Sequence, residues 1–378
     1  MAHLPSKFPI TLSIGIMAWN EEDSICTTLE SLFRQSVFQR LGARHEQCEI
    51  VVVANGCTDR TVAVARDFLE NMARTHEWRD AFSARVVDVP EPGKCNAWNR
   101  FVHEFSSLQA KYLCLMDADI VFHHRDSIFN LMAALETRAQ ASAASGRQCK
   151  DILFKPHKTL RDRISLATSS LSGGAGMICG QLYCLRASVA RNLHLPRGLC
   201  AVEDGFIKAA VCTDFFTRDS STWRVASVTD AAHIFEAYVS LRDVLNNQKR
   251  QMIGQATVHV LVKHLQTLSL DERRALGETL RRLEARDSDW LPKLMNEHIR
   301  DTRFFWRLFP GALTFRFRRL WKMPGARKLT HLPATLAGFF VTCIACWRAH
   351  RVLRRGVTHY WPKAARQTIL SVPQLGAK

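Results

Sequence analysis

Four short apolar runs alternate with three helical stretches in the first 116 residues, and this alternation limits the chain to one broad architecture. Residues 11–18, 49–53, 85–89 and 112–116 are apolar runs of strand length. Residues 22–35, 58–72 and 94–105 between them read as helices. Leu29, Leu32 and Phe33 share a face of the first, and Thr58-Asp59 opens the second with good helix-initiating residues. Strands separated by helices imply a parallel sheet with right-handed crossovers. The expected class is therefore α/β, with a doubly wound, mostly parallel sheet.

The fourth run ends in two carboxylates, Asp117-Ala118-Asp119. Charged groups seldom end a buried strand without partners, because unpaired burial is costly. Positions i and i+2 of a strand point to one side, so both can face one ligand. Two hard oxygen donors suit Mg²⁺ or Mn²⁺ carrying phosphate oxygens, and open α/β sheets bind ligands beyond the carboxyl ends of their strands.

Farther along the pattern loosens. A helix is expected around residues 126–143, and residues 145–172 are mostly polar. Gly173-Gly174-Ala175-Gly176 follows, a flexible loop beside a binding cleft. Residues 177–185 read as a strand, 187–192 as a short helix, 202–211 as a helix with Glu203-Asp204 in its first turn, and 223–228 as a last strand. From residue 239 the chain is helical and charged, and no internal repeat is visible.

The formal net charge of +17 is concentrated in the tail. From Arg300 onward 16 Lys and Arg residues meet one acid, Asp301, whereas the preceding residues hold 36 basic and 34 acidic side chains. This argues against nucleic acid as partner of the main domain and for an anionic partner of the tail. The twelve cysteines are scattered, several within apolar runs, and no secretory signal is evident in residues 1–10, so a reducing compartment is expected. Cys343 and Cys346 lie in an apolar helical run with no second pair, which makes zinc or redox chemistry a poor reading.

Taken in order, the motifs resemble family 2 glycosyltransferases. Ile14-Gly15-Ile16-Met17-Ala18-Trp19-Asn20-Glu21-Glu22 is similar to that family's first strand and turn, and Val51 to Thr61, with Asn55-Gly56-Cys57-Thr58-Asp59, to its second. Gly93-Lys94-Cys95-Asn96-Ala97-Trp98-Asn99, Asp117-Ala118-Asp119 and Glu203-Asp204 supply the remaining signals, over roughly residues 10–254. The resemblance implies a GT-A fold, a nucleotide-binding half over about residues 1–125 joined to an acceptor half over about 126–255. A helical connector would span 256–299 and a basic aromatic segment 300–378.

By the same resemblance, Trp19 and Glu21 close over base and ribose, Asn55 meets the base, and Lys94 pairs with the ribose or diphosphate. Asp119 is the direct ligand of Mg²⁺ or Mn²⁺, with Asp117 bridging ribose and metal. Asp204 is the general base of an inverting transfer from a nucleotide-sugar donor, and Glu203 orients it or touches the acceptor. His233 is read as a surface residue or as a metal or phosphate contact, and Arg250 as a phosphate fork. Asn247 and Gln251 stand where the family's processive members carry Gln and Trp, which implies one sugar per event.

Two rivals come from other classes. A nucleotidyltransferase of similar fold needs a Gly-rich, basic loop after the first strand, but Trp19-Asn20-Glu21-Glu22-Asp23 is acidic. A noncatalytic membrane-binding protein could retain the fold. The tail interleaves aromatics with Arg, as in Phe315-Arg316-Phe317-Arg318-Arg319-Leu320-Trp321. Its uncharged run, residues 334–347, is shorter than the about 20 residues that span a bilayer, and both flanks are basic. The expectation is helices lying on an anionic membrane surface, at the cytoplasmic face of the inner membrane, near a glycan or lipid-linked acceptor. A soluble helical subdomain is the alternative.

Overall fold

The structure, a computed structural model, describes residues 8–159, 162–163, 165–166, 176–199, 202–238, 240–302 and 305–356. Gly173-Gly174-Ala175 and the chain beyond residue 356, for which expectations are given above, lie outside the described residues.

Strands β1 (Ile10–Ala18), β2 (Gln47–Asn55), β3 (Phe82–Val89) and β4 (Tyr112–Asp117) are mutually parallel in the order β3-β2-β1-β4. Their alternate residues serve two cores. Val51 and Val53 join Trp98 and Phe101 on one face, while Ile50 and Val52 join Leu29 and Leu32 on the other. Helices α1 (Ile25–Phe33), α2 (Val37–Ala43), α3 (Thr61–Thr75) and α4 (Lys94–Arg100) link these strands. The helix expected over 94–105 ends in a π turn at Phe101–Phe105.

The second half adds β5 (Val121–Phe122), α5 (Ser127–Thr137), β6 (Ala143–Lys150), β7 (Leu182–Arg186), α6 (Ala187–Arg191), α7 (Glu203–Cys212) and β8 (Val225–Phe235). The full order is β3-β2-β1-β4-β7-β6-β8-β5. Four of its seven pairings are parallel, so the sheet is parallel in its first half and mixed in its second.

Three expectations change here. The helix expected to reach residue 143 stops at Thr137, and 143–150 is a strand. Ala-Ala-Ser-Gly-Arg-Gln-Cys-Lys has no β-branched residue; its extended form comes from pairing with β7 and β8. Gly146 lies at a register shift against β8, where a Cβ would collide with the Ala231 carbonyl oxygen. The strand expected over 177–185 is confined to 182–186, and the last strand runs on to Phe235.

The remaining chain is helical: α8 (Leu241–Thr267), α9 (Leu270–Arg274), α10 (Leu276–Arg286), α11 (Trp290–Asp301), α12 (Phe315–Trp321) and α13 (Gly325–Leu353). Helix α8 runs through residue 255, so the expected domain boundary falls inside a helix. Helix α13 packs along α8, and Ala345, Cys346 and Ala349 belong to the same core as Met252, Ile253 and Ala256. The stretch judged too short to span a membrane lies in a 29-residue helix, and its segment Lys328–Leu353 is long and apolar enough to cross one by length and composition.

Candidate active site

The order of the parallel strands reverses beside β1, and the loops leaving the carboxyl ends of β1, β2 and β4 meet there, where α/β sheets place ligands. The β1 and β2 loops are laced together. Asn20, with φ of 54°, accepts from the Thr58 amide through Oδ1 at 2.7 Å. The Glu21 amide donates to Thr61 Oγ1 at 2.7 Å, and the Glu22 amide to Asp59 Oδ2 at 3.1 Å. The Glu21 carboxylate accepts from Ser24 Oγ at 2.5 Å, and Trp19 is half-buried beside it.

Asn55 is 4% exposed, and its amide donates to the Ala18 carbonyl at 2.8 Å while accepting from the Gly93 amide at 3.0 Å. Against the expectation of a base contact, these bonds staple β1, β2 and the start of α4. Thr28 Oγ1 donates to the Ala118 carbonyl at 2.9 Å, fixing the Asp117-to-Asp119 turn from α1. Asp119 lies just past the end of β4 and is half-buried; its charge raises the pKa of Asp117.

Lys94 unites the rest. Its Nζ lies 2.7 Å from Asp117 Oδ1, 2.8 Å from Glu203 Oε1 and 3.2 Å from the Gly180 carbonyl. One cation thus ties the Asp-x-Asp turn after β4 to the Glu-Asp pair that opens α7. Asp204 is held differently: Oδ2 accepts from the Gly180 amide at 3.2 Å and Oδ1 from the Gly205 amide at 2.8 Å. The expectation that Glu203 orients Asp204 is corrected on this point, since Glu203 binds Lys94 and two backbone amides orient Asp204. Just before the pair, Val202 sits at φ of 61°, a left-handed conformation that costs a β-branched residue about 1–3 kcal/mol.

The electrostatics follow from burial and from four neighbouring carboxylates, with Lys94 among them. Burial raises the Asp117 pKa to about 7, with Lys94 opposing and Asp119 and Glu203 adding to the rise. Burial and then the Glu203 charge raise Asp204 to about 6. Burial acts against the Glu203 charge too, but Lys94 and more remotely Arg250 outweigh it, and its pKa is lowered. Lys94 is held well above its ordinary value despite burial, because two carboxylates grip it. Arg250 is exposed on α8, so its reach to Glu203 is electrostatic.

The reading of His233 as a surface residue is corrected. The imidazole is fully buried on β8, its pKa lowered to about 3 by that burial, with Nε2 3.2 Å from Gln181 Oε1 and 3.8 Å from Cys179 Sγ. Gln181 in turn accepts from the Asp117 amide through its carbonyl at 3.0 Å, so His233 stands behind the site, one residue removed. Among the described residues no three His, Cys, Asp or Glu side chains converge as a metal cage.

Sequence reasoning missed Gly180 and Gln181, which touch Lys94, Asp204, Asp117 and His233 between them. The available signal was an isolated glycine just ahead of a strand, a mark of close approach. A Cβ on Gly180 would lie 3.2 Å from Asp204 Oδ2.

Residues 13–193 match the sequence profile of glycosyl transferase family 2. No curated protein gives a significant match. Among solved structures, residues 1–349 of S. aureus TarS superpose with a TM-score of 0.44 at 12% identity, covering 93% of each chain. The same TarS segment in complex with UDP gives 0.41 at 15%, again over 93% of each chain. Glucosyl-3-phosphoglycerate synthase from Mycobacterium tuberculosis, in complex with Mn²⁺, UDP-glucose and phosphoglyceric acid, gives 0.43 at 17%, covering 69% of this chain and 81% of its own. These superpositions are loose, and the assignment rests on the sequence match, whose span includes Lys94, Asp117 and Asp119. Residues 13–193, just under half of the chain, are thus similar to glycosyl transferase family 2, and the match supports a glycosyltransferase of GT-A fold.

Proposed function

We propose that the protein transfers one sugar per event, with inversion, from a nucleotide-sugar donor to a hydroxyl of a glycan or lipid-linked acceptor near a membrane. The observation that carries this reading is the Lys94 bridge, which brings the carboxylates after β4 and those opening α7 into one cluster.

The donor set fits a divalent cation. Asp117 and Asp119 are hard oxygen donors, and burial, with the Asp119 charge adding to it, raises the Asp117 pKa to about 7, a cost that Mg²⁺ or Mn²⁺ would offset. Two protein carboxylates leave the remaining coordination to diphosphate oxygens and water. Bound there, the cation supplies charge neutralisation to the departing nucleoside diphosphate.

The chain's own residues do the rest. Trp19 and Glu21 flank the donor at the end of β1, and Arg250 faces the cluster from α8. Lys94 meets the diphosphate when it loosens its hold on Asp117, and keeps Glu203 ionised meanwhile. Asp204 takes the proton of the acceptor hydroxyl on an oxygen whose second lone pair is not used by Gly180 or Gly205. The new C1–O bond forms as the C1–O(phosphate) bond breaks, and the nucleoside diphosphate leaves with the electron pair. A single displacement of this kind inverts the anomeric centre. The proposed seat is the cytoplasmic face of the inner membrane, whose anionic surface suits the basic tail.

A panel of nucleotide sugars, each with Mg²⁺ or Mn²⁺, tests the reading on wild type and Asp119→Ala, with NMR assignment of the product anomer. Inverted product from one or a few donors, lost in Asp119→Ala, is expected. Retained configuration, or equal turnover by Asp119→Ala, would refute it.

A further inference from the structure

We infer that α13 is a membrane-docking helix that lies in the plane of an anionic bilayer and does not cross it. This rests on the membrane-proximal reading above and narrows it to one surface.

Leu329, Leu332, Leu336, Phe340, Ile344 and Trp347 follow one another at three- and four-residue intervals, a single stripe along the helix. Each is between 39% and 75% exposed. Six large apolar groups in a row on a water-facing surface mark an interaction site, not a core. The opposite face is buried: Thr335, Ala345, Cys346, Ala349 and Leu353 are each 0% exposed. That face rests on α8, and Arg348 donates across the seam to Asn246 Oδ1 at 3.2 Å.

Charge selects the partner. Around the stripe Arg318, Lys322, Arg351, Arg354 and Arg355 are exposed, and acids are absent from residues 302–378. Lys328 Nζ lies 5.6 Å from the Trp321 ring centre and the Arg351 guanidinium 4.9 Å from that of Trp347. Each pair sets a cation beside an exposed aromatic, the arrangement that suits the headgroup level, where cations meet phosphate and rings enter the acyl boundary. Helix α12 extends the same surface through Trp321, 81% exposed, and packs on α13 through Phe317 against Phe339.

Crossing the bilayer would take α8 along or strip it away. Helix α8 carries Arg242, Asp243, Lys249, Arg250 and Lys263, which hydrocarbon excludes, and it also packs on α7. An in-plane seat leaves both contacts intact.

The test uses full-length protein and flotation with phosphatidylcholine vesicles, with and without phosphatidylglycerol. Wild type should float only with the anionic vesicles and be released by alkaline carbonate. Phe340→Glu/Ile344→Glu should lower binding about tenfold or more while hydrolysing donor at the wild-type rate. Brominated lipid should quench the tryptophan fluorescence of unmodified protein, and less so in Trp347→Phe, a readout that stands if the double variant fails to fold. Carbonate resistance would show a crossing helix, and unchanged flotation of the double variant would exclude this face. A wild-type dimer that the double variant splits, without vesicle binding by either, would assign the stripe to a second copy. Any of these overturns the inference while leaving donor hydrolysis, and with it the transferase reading, standing.

Discussion

The site at the carboxyl ends of the central strands and helix α13 depart from the ordinary partition of side chains in opposite directions. At the site, Asp117 and Glu203 are drawn inward around the Lys94 cation, with Asp204 half-buried beside them. Along α13, Phe340, Ile344 and Trp347 are turned outward beside Arg351 and Lys328. Folding alone favours neither arrangement. The first stores electrostatic cost where bond making requires it; the second leaves apolar surface in water where a second phase can cover it. Chemistry is assigned to one region and address to the other.

If that division is right, changes at the site should alter turnover and changes along α13 should not. The largest effect is expected for Asp204→Asn: loss of the base should lower the single-turnover rate about 10³-fold with nucleotide affinity retained. Gly180→Ala follows. Its methyl would press on Asp204 at 3.2 Å, and a displaced base should lower kcat about 10- to 100-fold with little change in KM.

Lys94→Met leaves Asp117 and Glu203 without their cation. Because the Lys94 side chain is 38% exposed, solvent screening tempers the loss to about 1–3 kcal/mol, measurable by urea unfolding. The pH dependence has a definite sign. Asp204 holds its proton up to about 6 in the fold but to about 3.8 when unfolded, so its stabilising contribution is complete below about 3.8 and lost as pH rises through about 6. Metal-free Asp204→Asn should therefore melt roughly 2–4 °C above wild type at pH 8, a gain that vanishes near pH 4. Turnover should fall on the acid side through about pH 6 as the base is protonated. The smallest effect is expected for Phe340→Glu/Ile344→Glu, whose donor hydrolysis should stay within about twofold of wild type. A large loss there would break the division between the two regions.

How much of this could be read from residues alone depended on how local each cause is. The parallel strands were legible because compact apolar runs such as 112–116 carry their own signal, and Asp117 and Asp119 announced themselves by ending one. Strand β6 was not, since Ala143 to Lys150 is extended only by virtue of β7 and β8. Asp204 and Lys94 could each be singled out by motif, yet nothing in the chain said that Lys94 would bridge Asp117 to Glu203. His233 and Asn55 show the limit from the other side. Both look like ligands in sequence, yet both are buried, the Asn55 amide bonded to Ala18 and Gly93 and His233 Nε2 beside Gln181, which only the fold reveals. The tail's composition was plain, whereas the one-sided burial of α13 required α8 to be in place.

Binding and turnover of a nucleotide-sugar donor, measured side by side in Asp119→Ala and Asp204→Asn, bear most directly on the central claim. Asp119→Ala should lose the increase in nucleoside diphosphate affinity that Mn²⁺ gives wild type, while Asp204→Asn should keep that affinity and lose transfer. An Asp204→Asn protein that transfers sugar at the wild-type rate would contradict the account.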